Sequence, residues 1–188
     1  MKFLLATIAL LTVSESSAAQ TNRYVVDMDS SSFGFQVEHL GFATVNGVFS
    51  TGSGLVLYST AVPDSISARI ELDVESINTN NRLRDKELRS EDFLDAGRYP
   101  MIKFSSSGTM SQEDAAFPLV SEGEMVIYGE SKQLQLPLNV KEGNGTLTIR
   151  SVFSIRRQDF EIDFGILMNS LVSDEIKISV ELVAHLEK

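Results

Sequence analysis

From Arg23 to Leu186 most of the chain alternates apolar and polar residues with a period of two. That period belongs to strands with one dry face and one wet face. Arg23-Tyr24-Val25-Val26-Asp27 reads as a first short strand, followed by a polar turn at Asp29 to Ser32. Phe33, Phe35 and Val37 then share a face that His39 continues, with Gly34, Gln36 and Glu38 opposite. Gly41 and Asn46-Gly47 punctuate, and Val48 to Ser59 predicts a strand pair or one long bent strand, with Gly52 and Gly54 marking a bulge or a corner. The cleanest alternation is Ser65 to Ser76, where Ile66, Ala68, Ile70, Leu72 and Val74 face one way. Further strands are predicted over Ile102–Met110, Leu119–Tyr128, Leu134–Val140, Leu147–Arg157 and Ile176–Leu186. Gly129-Glu130-Ser131 and Gly143-Asn144-Gly145 supply the turns between them.

One stretch breaks the rhythm. Asn80 to Phe104 concentrates Arg82, Arg84, Asp85, Lys86, Glu87, Arg89, Glu91 and Asp92, then delivers Phe93, Leu94, Tyr99 and Pro100. It predicts a short charged helix capped by Asn80 or Asn81, with Asp85 and Arg89 at i,i+4 and Gly97 as terminator. Ser90 is a candidate cap for a second turn through Leu94. Few of its positions are apolar, so the helix belongs on a surface, as a lid over the strands.

Eight or nine strands and one helix fit an all-β fold, a single antiparallel up-and-down β-barrel of about eight strands, because closure removes exposed edges. A β-sandwich is the alternative. A barrel of that size is either filled by its own side chains or holds one small ligand. Its inward set, rich in Phe, Ile, Leu and Val, would make any cavity apolar.

Composition narrows the classes. Residues 1–19 combine Lys2, an apolar run from Phe3 to Val13 and the small residues Ser17-Ala18-Ala19, the layout of a signal peptide. The domain is then residues 20–188, and the expected location is periplasmic or secreted. No second long apolar run follows, so no transmembrane segment is expected. Cysteine is absent, which removes disulfides and thiol chemistry, and the net charge of −10 disfavours nucleic acid. With two His, no Cys and no HExxH-type spacing, neither a catalytic residue nor a metal site nor a cofactor is indicated. A homodimer is left open.

The order of short motifs then points further. Tyr24-x-x-Asp27, Phe35-x-Val37-x-His39 and Val45-x-Gly47-x-Phe49 come first. Asn81-x-x-Arg84-Asp85-x-x-Leu88-Arg89-Ser90-x-Asp92-Phe93-x-Asp95 and Tyr99-Pro100-x-Ile102-x-Phe104 occupy the middle. Gly123-x-Met125-x-Ile127-x-Gly129 and Arg157-x-Asp159-Phe160 follow. Together they resemble the YceI-like, polyisoprenoid-binding, lipocalin-like proteins over essentially the whole chain after residue 19. The resemblance implies an exported barrel with a helix beside its mouth. It also implies an elongated lipid in the barrel, such as a polyisoprenoid, an isoprenoid quinone or a fatty amide. Two departures are visible: Glu87 stands where members often carry His, and Glu161 to Phe164 intervene before Gly165.

The candidate cavity set is Phe33, Phe35, Val37, Phe49, Ile70, Leu72, Phe93, Phe104, Leu136, Leu138, Ile178 and Val180. His39, Arg84, Asp85 and Arg89 are the candidates for the head group or mouth. The charged helix interleaves almost as many acids as bases, which favours an uncharged head over a diphosphate. The competing readings are a filled barrel acting through a protein partner and, more remotely, a hydrolase. A continuous apolar cavity under Leu88 and Phe93 would separate the carrier from both.

Overall fold

The computed structural model describes residues 21–39, 41, 43–62, 65–165 and 169–188, so the signal-peptide segment lies outside the described residues. Among the described residues, eleven strands and an α-helix follow in chain order. They are β1 (Asn22–Val26), β2 (Ser32–His39), β3 (Ala43–Phe49), β4 (Gly52–Tyr58), β5 (Ile66–Asp73), β6 (Ile77–Asn78), α1 (Arg82–Leu88), β7 (Met101–Ser111), β8 (Leu119–Ile127), β9 (Glu130–Gly143), β10 (Thr146–Arg156) and β11 (Val172–Leu186).

All pairings are antiparallel, and β1 joins β11 to close the sheet into the order β1-β4-β5-β7-β8-β9-β10-β11. The extra strands are halves of bent staves. β1 and β2 both run along β11, with Val26 opposite Ala184 and Phe33 opposite Val180. β3 returns along β2 and β4 along β1, interrupted only at Ser50-Thr51. β5 passes through a 3-10 turn, Val74–Ser76, into β6, which pairs with β3. The result is an eight-stave up-and-down barrel with the short helix α1 at one end. The sandwich alternative is set aside.

The long hairpins follow their turns. Asn144 and Gly145 carry φ of 54° and 74° between β9 and β10, the doubly positive pair that a two-residue hairpin of the right twist requires. The β8–β9 turn uses Tyr128 and Gly129 (φ 54° and 81°), one step earlier than the predicted Gly129-Glu130-Ser131. Strand pattern alone could not place that corner, since Glu130 and Ser131 are equally at home in a strand.

Hydrophobic alternation holds throughout. Ile66, Ile70, Leu72, Leu136, Leu138, Leu147, Ile149 and Leu182 join one buried cluster with Tyr24, Val26, Phe33, Val56, Tyr58 and Ala184. A second cluster, built on Met125, Ile127, Ile155, Phe160 and Ile162, lies toward the helical end.

α1 is shorter than the predicted insert. Asn81 caps it, accepting from the N–H groups of Leu83 (3.1 Å) and Arg84 (3.2 Å). It ends at Leu88, well before Gly97, with Arg89 as the last half-helical residue. The Ser90 hydroxyl donates to the Glu87 carbonyl at 2.6 Å, so it closes α1 rather than capping a following turn. Beyond it the chain coils through hydrogen bonds from the Phe93 and Asp95 N–H groups to the Ser90 carbonyl.

Candidate ligand-binding site

The barrel encloses a cavity of about 350 Å³ whose wall is almost wholly apolar. It runs from the level of Ile66 and Ile149 up to α1. The predicted residues Phe33, Phe35, Val37, Phe49, Ile70, Leu72, Phe93, Phe104, Leu136, Leu138, Ile178 and Val180 all lie around it. Period-two parity brings them there: once one residue of a stave faces inward, every second residue does.

A barrel so rich in phenylalanine stays hollow because two of its rings lie against glycines in the wall. Phe35 pairs with Gly47 across β2 and β3, and its ring tip occupies the space a Cβ at position 47 would need. The Phe104 ring likewise lies 2.6 Å from where a Cβ of Gly123 would sit. Phe35 also packs on Phe49, with ring centroids 5.8 Å apart. The glycines remove wall atoms so that the rings lie back out of the lumen.

At the opposite end the barrel is shut. Tyr24 (1% exposed) meets Tyr58 edge-on at 6.5 Å, with Val56, Leu147 and Ala184 fully buried around them. The only way into the cavity lined by described residues is therefore the helical end.

Two faces of α1 divide the work there. Arg84, Glu87 and Leu88, at i, i+3 and i+4, turn toward the cavity. Asp85 and Arg89 turn toward β6 and are not part of the cavity wall. Buried Asp85 accepts from the Thr79 N–H (2.8 Å) and the Thr79 hydroxyl (2.5 Å). Arg89 donates to the Ile77 carbonyl at 2.7 Å and faces Glu75 at 3.6 Å. Their i,i+4 spacing, which made them candidates for the mouth, instead aligns them along the strand they hold. Burial alone would raise the Asp85 carboxyl, but the two Thr79 hydrogen bonds and the charges of Arg89 and Arg84 outweigh it and hold it below the ordinary 3.8.

Arg84 reaches both sides. It lines the mouth, while Nε and Nη2 donate to Thr79 Oγ1 (2.8 Å) and the Thr79 carbonyl (2.9 Å). His39 is half-buried at the mouth end of β2 and does line the cavity. His185 lies elsewhere, exposed beside Asp27.

Across the mouth from α1, a 3-10 turn (Arg157–Phe160) brings in a residue whose place was not legible. Arg157, 1% exposed, donates to the carbonyls of Ile162 (2.8 Å) and Ser173 (3.3 Å). Its guanidinium lies 4.6 Å over the Phe164 ring, and Phe164 packs on Phe93 at 4.4 Å. This stack covers one side of the mouth and satisfies the buried cation with carbonyls and a π face. Among the described residues no His, Cys, Asp and Glu cluster could hold a metal ion.

A model of the YceI-like domain matches residues 24–184, so the match spans both the closed floor and the mouth. The chain belongs to the YceI-like family. Its relatives include a UPF0312 protein of Pseudomonas savastanoi, 30% identical over 67% of this chain. The match spans 64% of that protein's length. A UPF0312 protein of Vibrio vulnificus is 30% identical over 72% of this chain and 71% of its own. Among solved structures, BcnA of Burkholderia cenocepacia superposes with a TM-score of 0.78 at 26% identity, covering 85% of this chain and 99% of that one. A domain of Saccharophagus degradans described as polyisoprenoid-binding gives 0.69 at 17% identity, over 87% and 98%, and shares the fold.

Sequence reasoning noted Glu87 without placing it at the mouth it lines, and passed over Ser106, Ser121 and Ser151, which interrupt the apolar wall. The serines were visible in principle, since Ser151 sits at inward parity between Ile149 and Phe153. Period-two reading scores apolar positions and passes over a lone hydroxyl among them.

Proposed function

We propose that this YceI-like protein is a non-enzymatic binding protein that holds one elongated apolar lipid inside its barrel. The cargo class is a polyisoprenoid, an isoprenoid quinone or a fatty amide, bound for transport, storage or stress response after export to the periplasm or the medium. The observation that carries this reading is the continuous apolar cavity of about 350 Å³ beneath α1 and Phe93. It falls within the range of small-ligand sites. Burying ten carbons of a chain there is favourable by about 8 kcal/mol, at ~0.8 kcal/mol per methylene. Association entropy offsets part of this, leaving room for micromolar binding or better.

The mouth supports a neutral head. The two arginines that line it are engaged: Arg84 with Thr79, Arg157 with carbonyls and Phe164. His39 remains to hydrogen-bond a carbonyl or amide.

Native mass spectrometry of the protein purified from its own host, followed by organic extraction, tests the reading. A stoichiometric adduct that extracts as a prenyl or acyl lipid is expected. A clean unliganded mass that persists after incubation with prenols and quinones would overturn it, in favour of a barrel acting through a protein partner.

A further inference from the structure

Most of the cavity wall offers nothing to hydrogen-bond, yet hydroxyls interrupt it well below the mouth. Counting inward residues from the helical end, β10 presents Ile155, Phe153 and then Ser151. β8 presents Ile127, Met125, the bare Gly123 and then Ser121. The four residue steps from Ile155 to Ser151 span about 13 Å at ~3.3 Å per step, so the hydroxyl lies deep rather than at the rim.

Ser151 is 3% exposed, and its Oγ has no hydrogen-bond partner. Ser121 is equally buried, at 2%. An unpaired buried hydroxyl is unfavourable, and side-chain polar atoms in such places normally have a partner. Here no strand-to-strand contact supplies one, although alanine or valine would fill an inward position on β10 without that penalty. Ser151 lines the cavity, and one bond, χ1, with its three staggered wells, governs where its Oγ lies.

We infer that Ser151, with Ser121, forms a second polar subsite deep in the barrel for a neutral oxygen- or nitrogen-bearing group of the cargo: a hydroxyl, carbonyl or amide. A charged group does not fit, because no described ionic side chain lines the cavity at that depth to neutralise it. The inference rests on the lipid-binding reading above and adds to it. The cargo is either polar at both ends or enters polar end first, leaving its hydrocarbon toward His39 and α1.

Dodecanol and its α,ω-diol test this. The diol must bury one hydroxyl whichever end enters first. Their affinities for the full protein are compared by competition against a fluorescent fatty probe, alongside Ser151→Ala and Ser121→Ala. The expected result is that wild type binds diol and mono-ol within about threefold, whereas Ser151→Ala disfavours the diol by about tenfold relative to the mono-ol, the scale of one unpaired buried hydroxyl. A smaller change in the same direction is expected for Ser121→Ala. A diol penalty that is already tenfold in wild type, or a ratio that neither variant moves, would overturn the deep subsite while leaving lipid binding intact. Failure of both alcohols and the fluorescent probe to bind wild type would instead overturn the lipid-binding reading itself.

Discussion

The two ends of this barrel are built from the same staves by the same alternation, yet one is solid and the other hollow. At the floor, β1 wedges between β4 and β11, and inward positions carry Tyr24, Tyr58, Val56 and Leu147 in mutual contact. Toward the mouth, the same staves continue as β2, β3 and β6, no strand pairing joins β6 to β7, and α1 lies against β6. Inward aromatics there lie back over Gly47 and Gly123. Inward apolar parity therefore does not decide between core and cavity. What decides is whether facing side chains reach each other, and glycine in the wall withdraws the ones that would.

The comparison is most easily broken at the floor. Tyr24→Ala removes a fully buried ring and should lower unfolding free energy by about 3–5 kcal/mol, read from urea denaturation. If the floor is only a plug, lipid affinity of the folded fraction stays near that of wild type. A large affinity loss with stability retained would mean that the floor is part of the site.

The mouth depends on one buried carboxylate. Asp85→Asn weakens two charge-assisted hydrogen bonds to Thr79 and should cost about 1.5–3 kcal/mol. Because the folded carboxyl is held below its ordinary value, its stabilisation is complete above about 3.8 and is lost as pH falls through the depressed folded value. Urea midpoints measured from neutral to acidic pH should therefore drop less steeply in Asp85→Asn than in wild type. Equal slopes would show that the Asp85 carboxylate is not what ties α1 to β6.

Gly47→Ala tests the hollow directly. The atoms nearest the added methyl belong to side chains, the Phe35 ring and Thr79 Cγ2, so the ring is expected to swing toward the lumen. Lipid affinity should fall about tenfold, on the scale of overpacking by one methyl, with a small change in stability. Undiminished affinity would mean that the ring has another place to go.

The smallest effect belongs to His39→Ala. Loss of one hydrogen bond to a neutral head should weaken binding by about fivefold, near 1 kcal/mol, in titrations with an isoprenoid quinone. Unchanged affinity would remove His39 from head-group recognition.

Much of this was readable from the chain. Alternation at Ile66–Leu72, Leu134–Val140 and Ile176–Ala184 identified both the strands and their dry faces, and parity then carried Phe33, Phe35, Val37, Ile178 and Val180 to the cavity. The charged insert was legible as a surface helix over the strands because it alone breaks the period, and its place beside the mouth was implied by the family resemblance. Its facing was not: Arg84 and Asp85 are adjacent in sequence yet point to different neighbours, one toward the lumen and one toward Thr79. Arg157 stood in the Arg157-x-Asp159-Phe160 motif, but its burial was not legible, since its partners at Ile162 and Ser173 are brought to it by a loop and the start of β11.

By itself, then, the sequence determined a series of antiparallel strands with one apolar face, because period-two patterning and turn chemistry act over a few residues; closure into eight staves came with the β1–β11 pairing. Whether the interior is filled or open, which face of α1 meets the lumen, and where a hydroxyl is left unpaired were decided only by tertiary structure. Each depends on the distance between atoms on strands far apart in the chain, which no local pattern encodes.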